Sequence, residues 1–364
     1  MIYLHQGTAF TIGKNTGYGR AYADLYLACA RRGMPVIGHP FDAYKVPKHI
    51  DVDVFFGMPN EHWRPSYKTR HGDSIRGVFT MYESSKVKPE FIPEINDQFD
   101  FIIVPSDYCL ESFSKGFPDK PVFKCPLGVV GDDFPYFDRP VDRKPFTFVW
   151  NGFVLDGRKG DRACVEAFQS LKLPDARLIL KSMPICTPYN QWFHLVYGDG
   201  SIAIVCYPYT HAELYSLYCD SDVGLHPSSS EGFGMIPLEM MATGLPMIMT
   251  DCTASEEQFD AIDCLRVKTN LTKDWPVNDG TVGHVADVES IKEQMVYAYE
   301  HQEEMRERGR HAAERVRRDF SWDRAAFEFE KIIRKVTNER NKNDNRNQGV
   351  GTTASPCEFS RTGT

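Results

Sequence analysis

Two glutamates eight residues apart, Glu231 and Glu239, frame the stretch SSSEGFGMIPLEMMATGLP at 228–246. A carboxylate accepts hydrogen bonds from hydroxyl groups. Between the two, Gly232 and Gly234 can take positive φ or let a ligand approach the backbone. Pro237 suits the first turn of a helix, where its missing N–H costs little. The backbone N–H groups of 232–236 would then open a helix and form an anion site. Glu231 precedes that turn, and Glu239 is expected in the first helical turn. A hydroxyl acceptor on either side of an anion site suits a molecule with phosphate in the middle and a sugar at each end, such as a nucleotide sugar. A plainer reading stands beside it. Carboxylates favour the first turn of any helix, and strand–glycine–helix junctions recur throughout α/β proteins.

The elements around this stretch read as an α/β protein. Apolar runs at 99–106, 146–152, 176–182, 202–208, 222–228 and 245–251 end in Pro, Gly, Ser or Asp, as buried parallel strands do. Between them, helical patterns cover 18–33, 161–172, 211–221 and 236–244, with Gly33 and Gly244 as C-terminal stops. Strand and helix in alternation give a parallel sheet with helices on both faces. The segment 131–146 carries three prolines and many charges and reads as a linker. Residues 321–337 read as an amphipathic final helix with Ser321 as N-cap. The Asn-rich remainder from 338 is expected to be disordered.

The 364 residues are enough for two domains. A net charge of −8 argues against a general nucleic-acid binder. It also weakens electrostatic docking to a membrane, leaving at most a peripheral contact. Ten cysteines without a CxxC pair read as reduced thiols of a cytoplasmic protein. Neither a signal peptide nor a membrane-spanning run is expected from the pattern.

EGFGMIPLE resembles the E-x7-E motif of retaining glycosyltransferases of the GT-B fold, family 4. NTGYGRAYADLYLACARRGMPV is similar to that family's glycine loop and first helix. VFTMYESSKV, FDFIIVPSDYCLESF and CPLGVVGDDF resemble its first-domain blocks, and DGRKGDRACVEAF the block that opens its second domain. The likeness runs from about 13 to 335. It implies two Rossmann-like parallel-sheet domains facing across a cleft. Residues 1–142 would hold the acceptor, 143–318 the nucleotide sugar, and a helix at 319–337 would pack back on the first domain, ahead of a tail at 338–364. The implied activity is hexosyl transfer from a nucleoside-diphosphate sugar, with retention and without metal or other cofactor. The acceptor is left open among glycan, lipid, protein and small molecule.

The likeness also implies roles. Glu239 would contact the ribose and Glu231 the hydroxyls of the donor sugar. The backbone of Gly232, Phe233 and Gly234 would lie against sugar and diphosphate. Lys159 and Arg158 would neutralise the leaving diphosphate, a form of catalysis worth several kcal/mol. Where the family has an arginine this chain has Phe153, so Arg158, or Lys181 at the end of the LILK strand, is expected to replace it. Residues 207–210, Tyr209 among them, would enclose the nucleobase.

Other residues carry two readings. Gly17 and Gly19 could close a loop over the donor or form a simple turn, since a lone GxG is weak. Arg20 beside them could face the cleft or the helix surface. Glu83 could line the acceptor side or merely flank a helix cap. His211 and Glu213 form an H-x-E without the partner cysteines of a zinc deaminase, and so read as a helix start. His226 reads as a strand-end core histidine. Asp51 and Asp53 form a DxD that reads as the start of a strand rather than a metal site. Two other functions remain open from sequence: a different sugar-nucleotide enzyme of the same fold, such as an epimerase or phosphorylase, and a non-catalytic glycan-binding scaffold.

Overall fold

The computed structural model describes residues 1–6, 17–39, 49–61, 67–68, 72–152, 157–183, 193–197, 200–277 and 279–349. The first half builds one six-stranded sheet. Its strands are β1 (Ile2–Gln6), β2 (Val36–His39), β3 (Val52–Phe56), β4 (Ile75–Phe79), β5 (Phe101–Val104) and β6 (Val122–Lys124). All pair in parallel, in the order β2-β1-β3-β4-β5-β6. Helices α1 (Gly17–Arg31), α2 (Phe91–Gln98) and α3 (Asp107–Gly116) belong to this half. One face of the sheet packs Val52, Val54 and Phe56 against Ala21, Leu25 and Ala28 of α1. The other packs Phe55 and Val78 against Phe91, Ile95 and Phe113. Both faces are therefore largely apolar, which is why β5 lies within a continuous hydrophobic run, at 99–106.

The second sheet holds β7 (Phe146–Asn151), β8 (Ala176–Ser182), β9 (Phe193–Tyr197), β10 (Ile202–Cys206), β11 (Val223–His226), β12 (Met247–Thr250) and β13 (Cys264–Val267). Their order is β13-β12-β11-β7-β8-β10-β9, parallel except for the β9 edge, which runs antiparallel to β10. Helices α4 (Asp161–Leu171), α5 (His211–Cys219) and α6 (Met235–Ala242) connect its strands. A hairpin of β14 (Thr269–Thr272) and β15 (Gly283–Ala286) follows, then α7 (Val288–Glu300), α8 (Gln302–Asp319) and α9 (Trp322–Gly349).

The chain builds β8 and β10 on one side of β7, then returns to lay β11 on the other. Strand order reverses between β7 and β11, and such a switch point opens a crevice beyond the C-terminal strand ends. The loops after β7 and β11 contain Arg158, Lys159 and Glu231. Several strands stop earlier than the apolar runs predicted for them: β11 ends at His226, ahead of Pro227 and Ser228. The polar ends of those runs belong to the crevice.

Two expectations change. Glu239 falls beyond the first turn, because α6 starts only at Met235 and has no acidic residue in its opening turn. The final helix does not stop near 337; it continues to Gly349, so the start of the stretch read as disordered is helical. Extending a formed helix fixes only one residue per added bond, and Arg340 is tied to the Asp73 carbonyl of the first half. The rest, 350–364, lies outside the described residues. Leading into α9, Ser321 Oγ accepts from the Arg324 N–H at 3.3 Å. The helix packs along α1, with Arg32 and Glu330 paired at 3.2 Å.

Gly33 and Gly244 have φ of +72° and +79°, as helix stops require. Gly309 does a different job. A methyl group there would stand 1.9 Å from the Gly244 carbonyl oxygen, so α8 crosses the end of α6 in direct backbone contact. Gly309→Ala is expected to force the two helices apart at a cost of about 1–3 kcal/mol. Thermal unfolding should fall by several degrees, and an unchanged midpoint would show that the crossing is not tight.

Candidate active site

Glu231 is the most heavily partnered carboxylate of the crevice. It is 4% exposed. Lys159 Nζ donates to its Oε1, His226 Nε2 lies 3.1 Å from the same oxygen, and Arg158 lies 3.8 Å from Oε2. Backbone bonds hold the frame. The Glu231 N–H donates to Thr253 Oγ1 at 2.9 Å, and the Ser229 N–H to the Arg158 carbonyl at 2.7 Å, which ties the loop after β7 to the loop after β11. Burial alone would raise the Glu231 carboxyl, but Lys159, His226 and Arg158 outweigh it and hold the group well below the usual range. Burial, and then the neighbouring Arg158, lower Lys159 from the ordinary lysine value. Taking His226 for a core histidine misses its contact; only the folded chain shows that the end of β11 aims it at Glu231.

The glycines between the glutamates have separate jobs. Gly234 takes φ +89° and caps α6 without a side-chain bond, so the first N–H groups of the helix have no side-chain cap. Gly232 provides space: a methyl group there would approach Met81 Cβ at 3.1 Å. Its carbonyl accepts from Ser106 Oγ at 2.7 Å, and Phe233 between the glycines is buried against Phe320. Ser106 and Met81 come from the first half of the chain, so the loop lies directly under it.

Glu239 is 1% exposed, and its Oε1 faces Arg20 of α1 at 2.8 Å. The guanidinium is out of line for a hydrogen bond, and neither carboxylate oxygen has an aligned donor among the described residues. Burial raises the Glu239 carboxyl, with Arg20 pulling against it. A buried carboxylate whose lone pairs are poorly used is expensive, and hydroxyl groups of a ligand would relieve it. Arg20 thus faces the cleft.

Lys181 ends β8 and is 3% exposed. Its Nζ donates to the Ser182 carbonyl at 3.0 Å and sits 4.9 Å from the centre of the Tyr209 ring. Burial pulls its pKa down to about 8. Tyr209 and Lys181 therefore form one cation–aromatic wall.

Glu83, from the loop after β4, reaches Arg158 at 3.6 Å, and its carbonyl accepts from Ser230 Oγ. It stands at the mouth of the Glu231 cluster. Gly17 and Gly19 open α1 just ahead of Arg20, while the preceding loop, 7–16, and Phe153 lie outside the described residues. Glu213 and Thr210 form a capping box at the start of α5, and His211 pairs with Asp133 at 2.6 Å. Asp53 is buried on β3 between His5 at 2.8 Å and Arg76 at 3.4 Å, and Asp51 pairs with the N-terminal amine. Among the described residues no three His, Cys, Asp or Glu side chains come together to hold a metal. All eight described cysteines are free and buried. No described helix is long and apolar enough to cross a membrane.

Two parallel α/β sheets with a site at the second one's switch point constitute the GT-B fold of glycosyltransferases. Residues 147–274, the sheet that carries Lys159, Glu231 and Glu239, match the family model for glycosyl transferases group 1. Solved structures of the same fold include sucrose-phosphate synthase from Thermosynechococcus elongatus, at TM-score 0.64 and 15% identity over 92% of this chain and 99% of that one. A glycosyltransferase from Rickettsia africae gives TM-score 0.65 and 13% identity over 92% and 98%. Anabaena HepE in complex with UDP and glucose gives TM-score 0.65 and 9% identity over 92% and 100%. No curated protein matches the chain.

Lys181 offers a test that needs no substrate. With a folded pKa near 8 and an ordinary value of about 10.4, its protonated form opposes folding below about pH 8. The unfolded chain binds the extra proton between those values, so this penalty fades as pH rises from about 8 towards 10.4. Lys181→Met should therefore melt above the wild type at pH 7, and the gap should shrink over that window. A gap independent of pH would show that Lys181 is not held in a depressed state.

Proposed function

We propose that this chain transfers a sugar from a nucleoside-diphosphate sugar to a hydroxyl-bearing acceptor, with retention of configuration. The observation that carries the reading is the pairing of two unlike buried carboxylates around one uncapped helix N-terminus. Glu231 is paired with Lys159 and Arg158 beside His226, whereas Glu239 faces the Arg20 guanidinium at 2.8 Å and has no aligned donor among the described residues. A diphosphate at the start of α6 would meet backbone N–H groups and lie beside Lys159 and Arg158. The ribose hydroxyls would supply the donors that Glu239 lacks. Glu231 would receive hydroxyls of the transferred sugar, and the Lys181–Tyr209 wall would flank the nucleobase side. That HepE is solved with UDP and glucose favours uridine among the nucleotides to try first.

Departure of the diphosphate leaves negative charge on the leaving group while the sugar becomes oxocarbenium-like. In this reading Lys159 stabilises that charge, since its ammonium is already placed in a water-poor crevice. Arg158 is the second cation, substituting for the family arginine. Glu83, across the cleft from Arg158, is assigned to the acceptor side, where its carboxylate would accept the hydrogen bond of the attacking hydroxyl. No step is assigned to a metal or other cofactor. The proposal takes the nucleotide sugar as donor and leaves open which glycan, lipid, protein or small molecule receives it.

The test is a thermal-shift panel with UDP, GDP, ADP and CMP and their sugar conjugates. A ligand at about 100 times its Kd adds about 2.7 kcal/mol of stability. One nucleotide class should raise the midpoint of the wild type and fail to do so for Glu239→Ala, while Lys159→Ala should bind it and turn over at least tenfold more slowly. Absence of a shift with every nucleotide would sink the assignment. Once an acceptor is found, the anomeric proton coupling of the product decides retention.

A further inference from the structure

Three side chains converge on Glu231, and they differ in how firmly they are fixed. Lys159 and Arg158 are long cations on the loop after β7. His226 is short, 1% exposed, and stands at the end of β11, whose backbone is paired on both sides by β7 and β12. Its Nε2 stands 3.1 Å from Glu231 Oε1 and has no other polar partner among the described residues, so a small turn of the ring brings its N–H onto that oxygen. The approaches to the carboxylate are also unequal: among the described residues Oε1 takes Lys159 and His226, whereas Oε2 has Arg158 at 3.8 Å.

We propose that His226 is a positioning residue that holds Glu231 Oε1 so that Oε2 is presented to a hydroxyl of the donor sugar. This rests on the glycosyl-transfer reading above. A bound diphosphate carries more negative charge than one carboxylate and draws Lys159 and Arg158 towards itself. Glu231 then loses the two partners that fix it in the ligand-free protein. His226 cannot follow, because its side chain is short and its strand is central. It keeps the carboxylate oriented and spares a buried charge the loss of a third partner. Glu231 thus exchanges cations for sugar hydroxyls without swinging away. The role requires only an N–H at Nε2, which one neutral tautomer and the doubly protonated ring both provide.

Two variants test it in the full chain: His226→Gln, whose amide N–H can reach the Nε2 position, and His226→Leu, which cannot donate. Calorimetric affinities are measured for matched probes, UDP with UDP-glucose and GDP with GDP-mannose. The leucine variant should lose about tenfold in affinity for the sugar nucleotide that the wild type binds. Its affinity for the bare nucleoside diphosphate should stay within about twofold, and glutamine should restore most of the loss. Equal losses for both probes, or none, would overturn the proposal. A ligand-free readout separates it from the broader reading. The imidazole nitrogen resonances of His226 should shift in Glu231→Gln, and unchanged resonances would overturn the positioning role whatever binds. If they shift while the wild type binds no nucleotide sugar, the contact stands and the glycosyl-transfer reading falls, taking the sugar-presenting role with it.

Discussion

A carboxylate buried as deeply as Glu231 stays ionised only if cations surround it, because taking a charge out of water costs several kcal/mol. Lys159 and Arg158 meet that need, and His226 Nε2 stands 3.1 Å from the same carboxylate. They can do so only because the loops after β7 and β11 are adjacent. Removing Lys159 or Arg158 would leave the buried charge with weaker compensation. The same cluster therefore stitches two loops together and keeps an anion-ready surface in place. Its neighbour Glu239 is the opposite case. It is equally buried, faces the Arg20 guanidinium without an aligned hydrogen bond among the described residues, and is pushed towards its neutral form. The contrast gives the crevice a satisfied end and a hungry end.

The geometry follows from how parallel sheets are built. Both faces of each sheet are covered by helices, so apart from buried pairs such as Asp53–Arg76 polar side chains gather at the strand ends. The reversal of order between β7 and β11 opens space there. The first half of the chain then closes over it. Ser106 bonds the Gly232 carbonyl, Ser230 bonds the Glu83 carbonyl, and Arg20 reaches Glu239. Gly232 has no side chain because Met81 occupies that space. The cleft is thus lined from both halves, and a ligand in it would touch both.

Much of the second sheet was legible because its apolar runs are uninterrupted. Phe146–Asn151 and Ala176–Ser182 fall almost where the pattern puts them. Other elements left little trace. The β9 edge strand carries exposed Leu195 and Val196 and has no clean alternation. The hairpin of β14 and β15 is short and half exposed. The extent of α9 was misread because composition reports on burial, whereas a helix can run on from a packed start with few further contacts.

The chain by itself determined the α/β class, the glycine-punctuated turn between two glutamates, and the helix that follows it, because these depend on neighbours a few residues apart. Gly234 needs positive φ, Pro237 fits a first turn, and Gly244 ends the helix. What meets those glutamates was settled only by tertiary structure. Lys159 and Glu231 are separated by 72 residues, and Arg20 and Glu239 come from different halves of the chain. His226 could not be told from a core histidine, since a strand end gives no sign of which carboxylate lies beside it. Charge pairing over such separations is decided by strand order, and no local pattern encodes strand order.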